Sequence, residues 1–94
     1  MAQRVDRPTI RREVFTKLNH VAEPQPPLDP GNDADEKRKL LDDLGMGPTF
    51  RRAMALPYTK IAQRFGGQGI AQTEAQNLST VKDSIDLVFK KANA

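Results

Sequence analysis

Ile10, Val14, Leu18 and Val21 recur at steps of four, four and three residues. That period places them on one face of a helix. Pro8 suits the first turn, where a missing N–H costs nothing, and Pro24 stops the helix. A second pattern closes the chain. Val81, Ile85, Val88, Phe89 and Ala92 form the buried side of a last helix, with Ser79 or Thr80 as its cap. Thr80-Val81-Lys82-Asp83 has nearly the form of a capping box, with Asp in the place usually held by Glu. Asp83 lies near the positive end of that helix, and Lys90 and Lys91 near its negative end.

The middle is less regular. Residues 23–32 hold four prolines and one glycine, which excludes a helix or an inner strand. The Pro-rich loop is taken as 23–33. A short helix is expected from Ala34 to Leu44, capped by Asp33 or Asp35 and ended by Gly45. Its apolar side would be Leu40, Leu41 and Leu44. Phe50, Met54, Ile61 and Phe65 keep helical spacing, with Ala53, Tyr58 and Ala62 beside them. Pro57 interrupts this pattern, because its ring clashes with the carbonyl of Ala53. The expectation is a kinked helix, or two short ones meeting near Leu56. Gly66, Gly67 and Gly69 terminate it, and Thr73 to Asn77 make one helical turn. No segment reads as a strand and no internal repeat is evident. The fold class is all-α: a small four-helix bundle in a single domain, residues 1–94, with an N-terminal arm over 1–7.

Composition narrows the chemistry. With 94 residues and no Trp, the core is built mostly from aliphatic side chains. A chain this short leaves little room for a deep site holding substrate and cofactor together. The absence of Cys excludes disulfides, thiolate metal sites and Cys nucleophiles. His20, alone of its type, excludes a site built on two imidazoles. Asp42 and Asp43 are neighbours and point apart on a helix, so they make no acid/base pair. The run 29–36 lacks the spacing of a calcium loop. The glycines at 45, 47, 66, 67 and 69 follow no strand and lack the lysine of a phosphate loop. No enzyme activity and no metal are expected. No apolar run approaches the ~20 residues of a membrane span, and the basic N-terminus lacks the apolar stretch of a signal peptide. A soluble cytoplasmic protein is the expectation.

Charge is distributed in blocks. Residues 1–22 carry five basic and two acidic side chains, net +3; residues 23–45 carry three and seven, net −4. Residues 46–72 carry four basic side chains and no acid, and residues 73–94 balance. Such blocks either compensate one another or present a surface to a partner.

Two family resemblances follow. Residues 56–67 (LPYTKIAQRFGG) and 79–92 (STVKDSIDLVFKKA) look like the two helices of a DNA-binding helix-turn-helix, with Lys82 near the start of the second. A net positive charge suits phosphate contacts. The intervening Gly67 to Ser79, however, is far longer than the 3–4 residues of that turn.

The chain resembles an acyl carrier protein over about 80 residues. In that family a first helix and a long loop lead to an Asp-Leu-Gly signature. A second helix ending in Phe, a short third helix and a last helix opening Thr-Val follow. Here Asp43-Leu44-Gly45 matches the signature, and Ala55-Leu56 through Phe65-Gly66 resembles the end of the second helix. Ile70 resembles an inward-packing loop residue, Thr73 to Leu78 the third helix, and Ser79 to Asp86 the start of the last.

The family carries 4′-phosphopantetheine on a serine just after that signature. Here Met46-Gly47-Pro48-Thr49-Phe50 stands in that place. Counting from Gly45 puts Pro48 at the serine position; counting back from Phe65 puts Arg51 there. Thr49 is the hydroxyl near the expected cofactor-binding position, and Ser79 and Ser84 fall in the last helix. The family's second helix is acidic, whereas this one bears Arg51, Arg52, Lys60 and Arg64.

The resemblance and its departures together imply a divergent carrier-like bundle without the arm. It would be a protein-binding or regulatory component linked to fatty-acid, polyketide or peptide biosynthesis. Arg51, Arg52, Lys60 and Arg64 would dock a protein partner with an acidic surface. The alternatives are a working carrier modified at an atypical residue, with 4′-phosphopantetheine as cofactor, and a small nucleic-acid-binding protein.

Overall fold

A computed structural model describes residues 4–94. Helix α1 spans Arg7–Ala22, so it takes the last residue of the expected arm. Asp6 caps it by accepting from the Thr9 N–H at 3.1 Å. Ile10, Val14 and Leu18 are buried as the spacing predicts, with Phe15 beside them. Val21 is half-buried. The helix ends without a glycine: Glu23 takes the left-handed conformation at φ 47°, and Pro24 follows, buried.

The next segment departs most from expectation. There is no α-helix over 34–44. A 3-10 turn, Asp33–Lys37, comes first, capped by Asn32 rather than by either aspartate. Lys39 then pairs with Thr80 in an isolated antiparallel bridge. The Leu40 N–H donates to the Ser79 carbonyl at 2.9 Å, and the Val81 N–H to the Arg38 carbonyl at 3.0 Å. Residues 40–44 form a turn. Leu40 and Leu44 are buried, but Leu41 is 54% exposed.

Helix α2, Pro48–Ala53, and helix α3, Ala55–Arg64, are two short helices, and they meet at Met54 rather than at Leu56. Pro57 is therefore the third residue of α3, where its missing N–H costs no helical bond. The break falls a turn earlier, next to the carbonyl with which its ring would collide. Helix α4, Gln72–Gln76, matches the expected single turn. Helix α5, Val81–Ala92, has the predicted box: Asp83 N–H to Thr80 Oγ1 and Thr80 N–H to Asp83 Oδ2, each 3.1 Å. Val81, Ile85, Val88 and Ala92 are buried, Phe89 only half so. Counting α2 and α3 as one broken unit, four helical units form an all-α bundle. Helix α5 packs on α1 and α3, and α2 packs on α4.

Two structural devices hold these units. The first is the end of α3. Gly66, at φ 82°, closes a Schellman motif: its N–H reaches the Gln63 carbonyl at 3.0 Å, and the Gly67 N–H reaches that of Ala62 at 2.9 Å. Gly67 then passes directly over the end of α5. A Cβ there would lie 2.2 Å from the Lys91 carbonyl oxygen, 2.5 Å from Ala92 Cα and 2.9 Å from the Ala62 oxygen. All three are backbone atoms and none can swing aside. Nearby, Asn93 accepts from the Arg4 and Val5 N–H groups at 2.6 and 3.1 Å, joining the two chain ends.

The second device ties down the Pro-rich loop. Asn19 on α1 clamps Leu28 in both directions: the Leu28 N–H donates to Asn19 Oδ1 at 2.8 Å, and Asn19 Nδ2 donates to the Leu28 carbonyl at 3.0 Å. Asp35, buried, accepts from the Asp29 N–H at 2.8 Å. Glu36, whose side chain is 14% exposed, sits between Arg7 at 2.8 Å and Arg11 at 2.7 Å, both on α1. Hydrogen bonding to Arg7, aided by the charges of both arginines, holds the Glu36 carboxyl below the ordinary carboxylate range despite desolvation. Arg7 also reaches Asp86 on α5 at 3.0 Å.

In the core, the Tyr58 hydroxyl and Ser84 Oγ are both buried without a partner in hydrogen-bonding geometry among the described residues. Burial pushes the Tyr58 phenol up to about 12, and the nearby Ser84 hydroxyl only partly offsets this. We regard the two hydroxyls as neighbours too loosely placed to bond, which makes them a net cost to the core.

Two predictions follow from these devices. Gly67→Ala forces backbone apart and is expected to cost about 2–4 kcal/mol, lowering Tm by ~10 °C or more. Gly69→Ala, whose Cβ would meet Thr59 Cγ2 at an ordinary 3.5 Å, leaves Tm nearly unchanged in the same melt. Glu36→Gln is expected to cost about 1–3 kcal/mol at neutral pH. The folded Glu36 is more acidic than the unfolded, so its contribution is full above the unfolded value of about 4.3. It is lost as pH falls through the lower folded value. Urea unfolding of wild type and variant across pH 2.5–7 therefore gives curves that converge in acid; a gap independent of pH refutes the assignment.

Candidate functional site

The charge blocks of the sequence have different fates in the fold. The acidic segment lies against α1, where Arg7 and Arg11 pair with Glu36, and Arg11 also with Asp33 at 3.5 Å. Part of the acidic block is thus paired with the first basic block through space. Residues 46–72 carry four basic side chains and no acid, and among the described residues one of those side chains has an ion-pair partner: Glu13 meets Arg64 at 2.9 Å.

The four expected docking residues are not equivalent. Arg51 is half-buried and committed to the fold. Its Nε donates to the Gln76 carbonyl at 3.0 Å and its Nη1 to the Met46 carbonyl at 2.8 Å, pinning α2 to the end of α4. Arg52 is exposed, with Nε on Gln72 Oε1 at 3.1 Å. Lys60 is exposed and makes no ion pair among the described residues. Leu56, Lys60 and Arg64 are spaced by four on α3, so they line one outer face; all three are exposed. Leu56, at 63%, is the most exposed large apolar side chain described.

The signature Asp43-Leu44-Gly45 serves a turn. Asp43 Oδ2 accepts from the Lys39 N–H at 2.6 Å, Leu44 is buried, and Gly45 takes φ 67°. Thr49 is the second residue of α2 and is exposed, with Pro48 before it. Ser79 is exposed as well, whereas Ser84 is fully buried and therefore inaccessible to modification. Ile70 packs inward, as the resemblance implies, and its N–H donates to Thr59 Oγ1 at 2.8 Å. His20 is exposed on the last turn of α1. Asp42 leans on Lys39 at 3.9 Å, apart from the role of Asp43. Among the described residues no group of three His, Asp or Glu could hold a metal ion, and no helix is long and apolar enough to cross a membrane. Lys82 is bound to Asp86 at 3.1 Å. Helix α4 stands between α3 and α5, so those two helices are not joined by a short turn.

One feature was hidden in the sequence. An open groove of about 440 Å³ lies between the turn after Lys39 and the end of α4. Lys39, Leu41, Asp42, Arg51, Leu78 and Ser79 are among its walls. Its two sides lie far apart along the chain and are joined by the bridge between Lys39 and Thr80. The sequence signal available was Leu41, an apolar residue with no place in the core once the expected helix is absent.

No protein-family model, no curated protein and no solved structure matches this chain.

Proposed function

We propose that this protein is a carrier-like helical module that binds a protein partner with an acidic surface and bears no phosphopantetheine arm. It acts as a binding or regulatory component in the kind of biosynthesis that acyl carriers serve. The observation that carries the reading is the uncompensated positive charge of α2 and α3 around an exposed leucine. Arg52 and Lys60 have no carboxylate partner among the described residues, and Leu56 lies on the same outer face of α3 as Lys60. Charges in this position steer encounter with an acidic partner, and a central apolar side chain supplies burial once contact is made. Arg64, already paired with Glu13, contributes less, and Arg51 supports the surface from below. The chemistry of the arm argues in the same direction, since the hydroxyl in the right region is a threonine flanked by Pro48 and Phe50.

Two measurements test this. The double variant Arg52→Glu, Lys60→Glu leaves the melting temperature near that of wild type. It lowers capture of an identified acidic partner about tenfold, and the difference narrows with added salt. Unchanged capture removes the docking surface. Incubation with coenzyme A and a broad-specificity phosphopantetheinyl transferase, beside a serine-bearing carrier as control, leaves the intact mass unchanged. A gain of one phosphopantetheine, mapped to Thr49 or Ser79, makes the protein a working carrier and overturns the armless reading.

A further inference from the structure

We infer that the groove beside Arg51 is a recognition site for an acidic side chain flanked by leucine-like residues, presented by an extended segment of a protein partner. The inference rests on the docking reading only for the sign of the partner's charge; it places the anchor in a different part of the surface.

Arg51 is the reason. Its guanidinium is fixed by two backbone carbonyls, those of Gln76 and Met46. Those two bonds use Nε and one N–H of Nη1. Of the five donors of a guanidinium, three therefore lack an acceptor among the described residues, including both on Nη2. No carboxylate among the described residues lies within 4.0 Å of it. A half-buried arginine held in place by neutral oxygens keeps its whole charge and has already lost its rotamer freedom. A carboxylate that meets it forms a charge-assisted bond without the usual ordering cost.

The walls define the rest of the ligand. Leu41 is 54% exposed at the rim, and Leu78 is half-buried on the far side. Lys39 adds a second positive charge, while Asp42, the groove's own carboxylate, leans on Lys39 at 3.9 Å. The net charge of the lining is positive. An anion with apolar neighbours fits this arrangement better than a bare anion, because both leucines then lose contact with water. The openness of the groove favours a peptide over a small molecule. A small-molecule site encloses most of its ligand, whereas this one leaves one side free for a backbone to run past.

The test uses the full chain and a capped Leu-Asp-Leu tripeptide, with capped Leu-Asn-Leu and 4-methylpentanoate as comparison probes. Amide and Arg51 Nε–H shifts are followed by NMR. The acidic tripeptide is expected to move Arg51, Leu41, Asn77 and Ser79, and the Asn peptide to bind about tenfold more weakly. Leu41→Ser, at an exposed position that makes no bond to Arg51, weakens the acidic peptide several-fold at unchanged Tm. The inference is overturned by equal binding of the two peptides, by wild-type binding in Leu41→Ser, or by shifts confined to Leu56 and Lys60. Equal binding of 4-methylpentanoate overturns the peptide assignment in favour of a small carboxylic acid. Because no cellular partner is used, failure here leaves the Arg52 and Lys60 surface standing. Failure of that surface in the capture experiment leaves the groove to be judged on its own shifts.

Discussion

Glu36 between Arg7 and Arg11 is the interaction on which most of the arrangement depends. The chain from Glu23 to Gly47 contains no α-helix, so its backbone groups need partners from elsewhere. Helix α1 supplies several of them. Asn19 holds the middle of the loop at Leu28, Arg11 reaches the Pro30 carbonyl, and the two arginines grip Glu36. Arg7 extends the same network to Asp86 on α5. Ion pairs at a surface stabilise little one at a time. This set is different in kind, because Glu36 and Arg11 are mostly shielded, at 14% and 13% exposure, and one carboxylate serves two guanidiniums. Its consequence reaches beyond stability. It commits Glu36 and Asp33 to α1, so that of the basic side chains on α2 and α3 only Arg64 has a carboxylate partner among the described residues, Glu13.

The sequence was legible where the bonding is local. Helices α1 and α5 carry their own instructions: periodic apolar residues, a proline near the start of one and a threonine box at the start of the other. Their buried faces were readable apart from Phe15 and Ser84, which are buried as well, and Val21 and Phe89, which only half-face the core. The stretch 34–44 was not legible, and the reason is physical. Its leucines recur at helical spacing, but the backbone groups of Arg38 and Leu40 bond to Val81 and Ser79, some forty residues on. A periodicity argument counts side chains and cannot see a long-range backbone bridge. Pro57 gives a milder case. Its presence signalled a break, but the break sits at Met54, because a proline disturbs the turn before it while fitting comfortably in a first turn.

The candidate site shows the same division. That residues 46–72 are basic and acid-free was plain from composition, and the exposure of Arg52, Lys60 and Arg64 agrees with their place on a solvated face. Nothing in the sequence separated Arg51 from Arg52. They are adjacent and chemically identical, yet one is pinned by two carbonyls and the other reaches only a glutamine side chain. Helix geometry decides it, since neighbouring residues point about 100° apart, and the end of α4 lies on one side only.

That separation bears on how such a surface can work. An exposed charge without an ion pair among the described residues, such as Lys60, would attract a partner over a distance set by salt and contribute mostly to the rate of encounter. A fixed, partly desolvated charge, as Arg51 is, would act only at contact and would discriminate there, because a neutral or misplaced group leaves its remaining donors unpaired. The two belong on different terrain, the first on the outer face of α3 and the second on a wall of the groove. Leu56 and Leu41 place an exposed apolar side chain beside each. A helix bent at Met54 keeps the two surfaces distinct: α2 stays against α4, where Arg51 is held, while α3 turns towards α1 and α5 and leaves its outer face to solvent. The break that Pro57 imposes, at Met54, thus separates the exposed face of α3 from the groove beside Arg51, the two surfaces proposed for a partner.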